Sequence, residues 1–363
     1  MVNAVKRHVN ACFVLVALST MSADADLINL GTFGGTMSQA EDINESGQVV
    51  GTAYNAAGDP RPFLYENGVL TDLGTLGGPR GFGEAINNHG TAVGQSNHSS
   101  AIFDSRVSVF AGGGVSTFGP GEQTRGYAIN DNGDIAGFNF TTNRAFVETA
   151  GGTTILEPVV PGLFQSLVSD INASGQLAAG AYANGLLHAF LYDSGTFTTI
   201  STLGGSFASS AAINDHGHVV GFSEDGSGFS RGFLFKDGAT TAIPEMGSAR
   251  DINNKGWIVG AKSPQLSGDS FWRAILYRDG VATDLNDLLP EGSLWVLNTA
   301  NAINEDGSIV GQGTYNGEQR AFLLTNFSAV PEPSPTMLMS IPLITVAFSR
   351  WRRTLSNTKA TLC

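Results

Sequence analysis

The chain has 363 residues and a formal net charge of −13, with 32 acidic against 19 basic side chains. A surface of that sign repels a phosphate backbone, which excludes a nucleic acid as an expected partner. A hydrophobic content of 42% is ample for a core, so a disordered chain is excluded as well. Glycine contributes 47 residues, spread along the chain, and this indicates many tight turns.

The amino terminus has the order of an export signal. Two basic residues, Lys6 and Arg7, precede an apolar run over residues 11–21, and Ala23 and Ala25 then form a small-x-small pattern. We expect a signal peptidase to cleave after Ala25. The alternative, a first buried strand or helix, is disfavoured because the apolar run is short and its flanks come in export order.

A five-residue pattern, Ile-Asn-x-x-Gly, recurs seven times. Its asparagines are 43, 43, 42, 42, 39 and 51 residues apart, a period typical of a repeat architecture. The repeated residues are Asn44, Asn87, Asn130, Asn172, Asn214, Asn253 and Asn304.

Each repeat contains three further strand signals. A β-branched pair with glycine follows the asparagine turn, as in Val49-Val50-Gly51, and in the fourth repeat the glycine is displaced by one residue, to Gly180, which we interpret as a bulge. A segment like Arg320-Ala321-Phe322 comes next, with its weakest copy at residues 100–103, and a segment like Asp72-Leu73-Gly74 ends the unit. Four short strands in about 42 residues, seven times over, predict an all-β, seven-bladed propeller with four-stranded antiparallel blades.

The two ends of the repeat region predict how the ring closes. Residues 27–35 form a fourth-strand signal that stands before the first repeat, and the seventh repeat lacks a fourth strand after Leu324. We expect the amino-terminal strand to complete the last blade and cover its edge. A linear solenoid would not need such an offset.

These repeats resemble those of the HAF family of extracellular proteins, named for a His-Ala-Phe step. The step occurs literally at His188-Ala189-Phe190 and as Arg-Ala-Phe at Arg144 and Arg320. The resemblance covers most of residues 27–325, and it implies an exported propeller-like protein with no assigned chemistry.

The carboxyl end contains a second motif typical of protein sorting. A Pro-Glu-Pro step is followed by an apolar span over residues 337–348 and then by an arginine cluster; the residues of this motif are Val330, Pro331, Glu332, Pro333, Arg350, Arg352 and Arg353. The order resembles the PEP-CTERM sorting signal of Gram-negative bacteria, except for ten residues after the arginines. It implies an exosortase-like enzyme as partner, a transient stay in the inner membrane, and release to the cell surface or the medium. A permanent tail anchor is the alternative.

The expected organisation therefore has four parts. They are a signal peptide (1–25), the propeller (26–327), a proline-rich linker with the sorting motif (328–336), and a hydrophobic segment with a basic tail (337–363). The signal and the tail contain six basic residues and one acid, Asp24, so the mature protein is expected to be more acidic than the whole chain.

The repeated side chains are interpreted as structural. The asparagines suit strand-connecting turns, with their amides bonded to local backbone. Five arginines are expected to pair with acids or carbonyls of adjacent blades, and five phenylalanines to pack between blades. The arginines are Arg61, Arg144, Arg231, Arg273 and Arg320, and the phenylalanines are Phe63, Phe146, Phe190, Phe233 and Phe322.

Chemistry is sparse in the sequence. No nucleophile, phosphate-binding or zinc motif is present, so no catalytic residue and no cofactor are predicted, although calcium is left open as a bridging ion. The candidate ligand contacts are the non-repeated Trp257, Trp272 and Trp295, which suit stacking against sugars. The favoured function is a non-enzymatic surface or biofilm-matrix protein that binds polysaccharide or another surface component, including a protein. The alternative is a propeller glycoside hydrolase or polysaccharide lyase with acids at the mouth of the channel.

Overall fold

The chain folds into seven four-stranded antiparallel sheets that contact one another in a ring. The fold is seen in a computed structural model that describes residues 25–101, 104–157, 163–267 and 271–326. It is a seven-bladed β-propeller and confirms the predicted fold class. Strand 1 of each blade lies next to the ring axis, and strands 2 to 4 follow outward in chain order.

The blades contain four strands each. The first four are β2 (Gly34–Ile43), β3 (Val49–Asn55), β4 (Pro60–Glu66) and β5 (Val69–Asp72); β6 (Gly81–Ile86), β7 (Ala92–Asn97), β8 (Ser105–Ala111) and β9 (Gly114–Thr117); β10 (Thr124–Ile129), β11 (Ile135–Asn139), β12 (Arg144–Thr149) and β13 (Gly152–Ile155); and β14 (Leu163–Ile171), β15 (Leu177–Ala183), β16 (Leu186–Asp193) and β17 (Thr196–Thr199).

The other three blades contain the two short helical segments of the described chain. They are β18 (Gly204–Ile213), β19 (Val219–Asp225), β20 (Ser230–Lys236) and β21 (Ala239–Ala242); β22 (Ser248–Ile252), β23 (Ile258–Lys262), α1 (Pro264–Ser267), β24 (Arg273–Arg278), β25 (Val281–Asp284) and a 3₁₀ turn (Leu285–Leu288); and β26 (Trp295–Ile303), β27 (Ile309–Tyr315), β28 (Glu318–Thr325) and β1 (Asp26–Asn29).

The ring closes as predicted. β1 pairs antiparallel with β28, with Leu27 opposite Leu324. Just beyond this strand, Leu30 is 3% exposed and its N–H donates to the carbonyl of Ala321 at 3.1 Å. β1 therefore completes the last blade and covers the edge of β28.

Two details of the repeat differ from the sequence prediction. In the second blade, strand 3 spans residues 105–111, so Arg106, opposite Ser96, takes the place of the repeated arginine. The weak copy assigned to residues 100–103 was wrong, and its last two residues lie outside the described part. In the fourth blade, β15 and β16 pair in an unbroken register with Ala179 opposite Phe190. The displaced Gly180 therefore marks no bulge between β15 and β16.

The glycine in strand 2 has a steric cause. A Cβ on Gly51 would lie 2.1 Å from the carbonyl oxygen of Gln39 and 3.0 Å from the ring of Phe63. Both approaches are too close, so only glycine allows strand 1, strand 2 and the buried ring to meet there. The five predicted phenylalanines are each at most 3% exposed, which confirms their packing role.

The repeated arginines form ion pairs close to their own strands. Arg61 donates to Asp72 at 2.9 Å, and Arg231 donates to Asp225 at 2.9 Å. Each of these two acids belongs to the same blade as its arginine. The repeated arginines contact an adjacent blade through its backbone carbonyls, as expected. Arg320, for example, donates a hydrogen bond to the carbonyl oxygen of Thr36 at 2.6 Å.

No helix in the described part of the chain is long and apolar enough to span a membrane. The apolar span predicted at residues 337–348 lies outside the described residues, and so do Ala23 and the sorting motif. Ala25 is the first described residue and packs against the core of the last blade. The export and sorting predictions therefore stay predictions.

Candidate functional site

One end of the ring, which we call the asparagine face, is held by a closed circle of hydrogen bonds. Each repeated asparagine is buried, and its side-chain N–H donates to the backbone carbonyl of the corresponding asparagine in the next blade. The seven distances are 3.0–3.2 Å, and the last bond joins Asn304 back to Asn44. Each side-chain oxygen also accepts the N–H four residues later. The asparagines are structural, as expected, but they join blades as well as capping turns.

Three aspartates support the same end of the ring. Asp42 accepts the N–H of Ile43 at 2.7 Å and that of Ile86, in the next blade, at 2.8 Å. Asp170 and Asp251 repeat this bridge in the fourth and sixth blades. Burial raises the pKa of Asp42 to about 8, although its two N–H donors lower it. A cavity of about 220 Å³ on this face is lined by the asparagine turns.

The opposite end, which we call the groove face, presents side chains that the repeat does not dictate. In every blade the pairing of strands 1 and 2 shifts by one residue, three positions before the repeated asparagine. The extra residue of such a bulge is unpaired and its side chain is redirected. The seven bulge residues all line one axial cavity of about 350 Å³, and they are Glu41, Glu84, Tyr127, Ser169, Ala211, Arg250 and Asn301.

One side of the axial cavity carries a compensated charge. Glu84 accepts a hydrogen bond from the Arg125 guanidinium at 2.5 Å, and that guanidinium lies 4.9 Å from the ring centre of Tyr127. Burial raises the pKa of Glu84 and of the Tyr127 hydroxyl, while Arg125 opposes both shifts. The glutamate and arginine neutralise each other.

Glu41 is the second acid of the cavity. Its pKa is raised to about 8, mainly by burial and also by Glu84, while Arg125 and Arg250 act in the opposite direction. Its carboxyl group also contacts the side-chain amides of Gln39 and Asn301. A carboxyl group with such a pKa holds its proton at neutral pH and can donate a hydrogen bond.

Arg250 differs from Arg125 in having no fixed partner. Its side chain is exposed to the cavity, and among the described residues it makes no hydrogen bond and no ion pair. It also lines a neighbouring cavity of about 390 Å³ between the last three blades. Its guanidinium group therefore stands where the two cavities meet.

A groove leads outward from Arg250 across blades five to seven. The cavity of about 390 Å³ shares Trp272, Thr299 and Gln312 with an outer cavity of about 270 Å³. Trp272 is 42% exposed and Phe271, at the outer end, is 66% exposed. The groove thus combines aromatic side chains with hydroxyl and amide groups. The aromatic side chains can pack against an apolar face of a ligand, and the polar groups can form hydrogen bonds with it.

The structure separates the three tryptophans selected from the sequence. Only Trp272 lines the groove. Trp257 is half-buried, with the guanidinium of Arg278 at 4.8 Å from its ring, and Trp295 packs on Tyr315 with ring centres 5.1 Å apart.

The alternative function drawn from the sequence placed acids at the mouth of the channel, but the sequence did not identify the residues of the axial cavity. The available signal was the residue three positions before each repeated asparagine, which differs between blades while its neighbours are conserved within the repeat. Within the described residues, no group of three or more His, Cys, Asp and Glu side chains is arranged to hold a metal ion.

The similarity of this chain to known proteins is a similarity of fold. Neither a family model nor a curated protein matches the sequence. Among solved structures, virginiamycin B lyase from Staphylococcus aureus is 13% identical with a TM-score of 0.53, covering 83% of this chain and 98% of that one. A streptogramin B lyase is 13% identical with a TM-score of 0.52, and the match covers 83% of this chain and 98% of that one. A puromycin-hydrolyzing peptidase from Mycobacterium tuberculosis is 12% identical with a TM-score of 0.53, and the match covers 86% of this chain and 54% of that one. At these identities the likeness shows a shared fold and carries no activity with it.

Proposed function

We propose that this protein is an exported, non-enzymatic component of the cell surface or biofilm matrix that binds polysaccharide in the groove. The observation that carries the proposal is Trp272, a 42% exposed indole on the wall of two joined cavities. A sugar ring has an apolar face that can lie against an indole, and the burial of that face is favourable.

The polar lining suits the rest of a sugar. Thr299, Gln312 and Asn298 offer hydroxyl and amide groups along the outer groove. Such groups both donate and accept, which is what vicinal hydroxyls require. The joined cavities extend across three blades, so the groove can accommodate several units of a chain.

The test is retention of the protein on the exopolysaccharide of its producer, with and without calcium. Trp272→Ala is expected to lower affinity by up to about tenfold, since an aromatic contact contributes ~0.5–1.5 kcal/mol. Phe229→Ala is the matched control, because Phe229 is 45% exposed and lines none of the three groove-face cavities. Absence of retention in both conditions, or equal losses in the two variants, would contradict the proposal.

A glycoside hydrolase or polysaccharide lyase is the second candidate, and the axial cavity favours keeping it. Glu41 and Glu84 from neighbouring blades line the same cavity, and the raised pKa of Glu41 suits a proton donor. Release of reducing ends or unsaturated sugars, lost in Glu41→Gln, would support this candidate. The neighbours in fold include lyases and a peptidase, so the fold does not decide between binding and catalysis.

Export through the amino-terminal signal and sorting by an exosortase-like enzyme complete the proposal. The motif at Pro331 to Pro333, the apolar span and the arginines support it. A mature amino terminus at Asp26, and accumulation of an uncleaved membrane-bound form when Pro331 and Pro333 are replaced by alanine, are the expected results. Release from the membrane that is unaffected by this replacement would refute the sorting role.

A further inference from the structure

We propose that the axial cavity binds the carboxylate of an acidic sugar residue, with Arg250 as its partner, so that the bound polysaccharide is a polyuronate. This inference rests on the proposed binding of polysaccharide in the adjoining groove. It adds the chemical class of the ligand and a second contact point at the inner end of the groove.

The first reason is that Arg250 has an unused guanidinium group. Arg125, which also approaches the cavity, is engaged by Glu84 at 2.5 Å, whereas Arg250 makes no hydrogen bond or ion pair with any residue that the structure describes. A guanidinium group presents a planar fork of donors that matches a carboxylate in two parallel hydrogen bonds. A cation facing an open cavity is therefore ready for a planar anion.

The second reason is the charge of the cavity in a protein that is otherwise acidic. Glu84 is balanced by Arg125, and the groups facing Glu41 are Gln39, Glu84, Arg125, Arg250 and Asn301. With its pKa raised by burial, Glu41 is neutral at pH 7, so the positive charge of Arg250 is left over. A local positive charge favours an anionic group there although the net charge of the chain is −13.

The third reason is position. Arg250 lines both the axial cavity and the groove that contains Trp272, and Ser248 and Phe222 line both as well. A sugar chain lying against Trp272 can therefore reach Arg250 without leaving the joined cavities. The carboxylate of a hexuronate lies outside its ring, so it can point into the axial cavity while the ring stays in the groove.

The experiment compares three polymers on one backbone, using the full-length protein and isothermal titration calorimetry. They are a polyuronate, its carboxyl-reduced neutral form, and the neutral form after sulfation. We expect the polyuronate to bind at least about tenfold more tightly than the neutral polymer, since hydrogen bonds between a guanidinium group and a carboxylate are stronger than those between neutral groups. Arg250→Gln should remove this preference and leave affinity for the neutral polymer unchanged.

Arg80→Gln is the matched control, because Arg80 is an exposed arginine at the start of the second blade and lines none of the three cavities. Equal affinity for the acidic and neutral polymers, with loss of both in Trp272→Ala, would overturn this inference and keep the proposed function. Tighter binding of the sulfated polymer than of the polyuronate would also overturn it. Failure of all three polymers to bind would overturn both.

Discussion

The asparagine circle makes a sharp prediction about stability at Asn172. This side chain is 4% exposed and makes four hydrogen bonds. Its oxygen accepts the N–H groups of Ser174 at 3.1 Å and Gln176 at 2.9 Å, and its nitrogen donates to the Asn214 carbonyl at 3.0 Å and to the Gln176 side chain at 2.9 Å. Asn172→Ala deletes all four.

The expected loss in the free energy of unfolding is about 2–4 kcal/mol for Asn172→Ala. Each buried hydrogen bond contributes ~1 kcal/mol net, and the turn N–H groups left without a partner add to the cost. The Asn214 carbonyl keeps the N–H of Gly217 at 3.0 Å, which limits the loss on the far side.

Asn172→Asp separates the two functions of the side chain. One carboxylate oxygen can still accept the turn N–H groups, but the other replaces the donor to Asn214 and faces a carbonyl oxygen. We expect a loss of at least about 2 kcal/mol, because the bond between blades becomes a repulsion.

Urea unfolding of the full-length chain measures these losses, with Ser174→Ala as control. Ser174 lies in the same turn, is exposed, and uses only its backbone N–H in the bonds described. Its replacement should change the free energy of unfolding by less than about 0.5 kcal/mol. An Asn172→Asp protein as stable as the wild type would refute a stabilising bond between blades and leave only the turn.

Three further predictions concern closure and the buried acids. Leu30→Ala should cost about 2–5 kcal/mol in unfolding free energy because it empties a buried site at the ring junction, whereas Val69→Ala, at a 61% exposed position, should be near neutral; equal effects would contradict closure. Because the pKa of Glu41 is raised, its contribution to stability is fully present below pH 4.5 and is lost as pH rises through about 8. The unfolding free energy of Glu41→Gln should therefore fall less than that of the wild type across that pH range, and parallel plots of unfolding free energy against pH would contradict the shift. Asp170→Asn should lower the urea midpoint, since the amide NH₂ group would face one of the two backbone N–H groups that donate hydrogen bonds to the Asp170 side chain. An unchanged midpoint would argue against a stabilising bridge between blades by Asp170.

The sequence was sufficient for the architecture because a propeller is repetitive. Seven asparagine turns define seven equivalent units, and the lone strand before Gly34 predicts closure onto the strand that contains Leu324. The errors fell where one copy departs from the pattern, as at Arg106. There, Val107 and Ser108 follow the arginine in place of the alanine and phenylalanine of the repeat, so the pattern did not identify it.

The site was harder to predict because its residues are those that the repeat leaves free. Glu41 and Arg250 occupy equivalent bulges, but nothing in either local sequence indicates that both side chains face one cavity. Their meeting depends on the bulge and on ring closure, which are properties of the tertiary structure. Exposure alone distinguishes Trp272 from the packed Trp257, and exposure depends on neighbours from other strands.

The position of the bound ligand decides whether the groove is the binding site. A crystal structure of the protein with a bound uronate oligosaccharide tests this directly. We expect a sugar ring stacked against Trp272 and a carboxylate paired with the guanidinium group of Arg250. An oligosaccharide bound at the asparagine turns around Asn172, with the groove unoccupied, would contradict binding at Trp272 and Arg250.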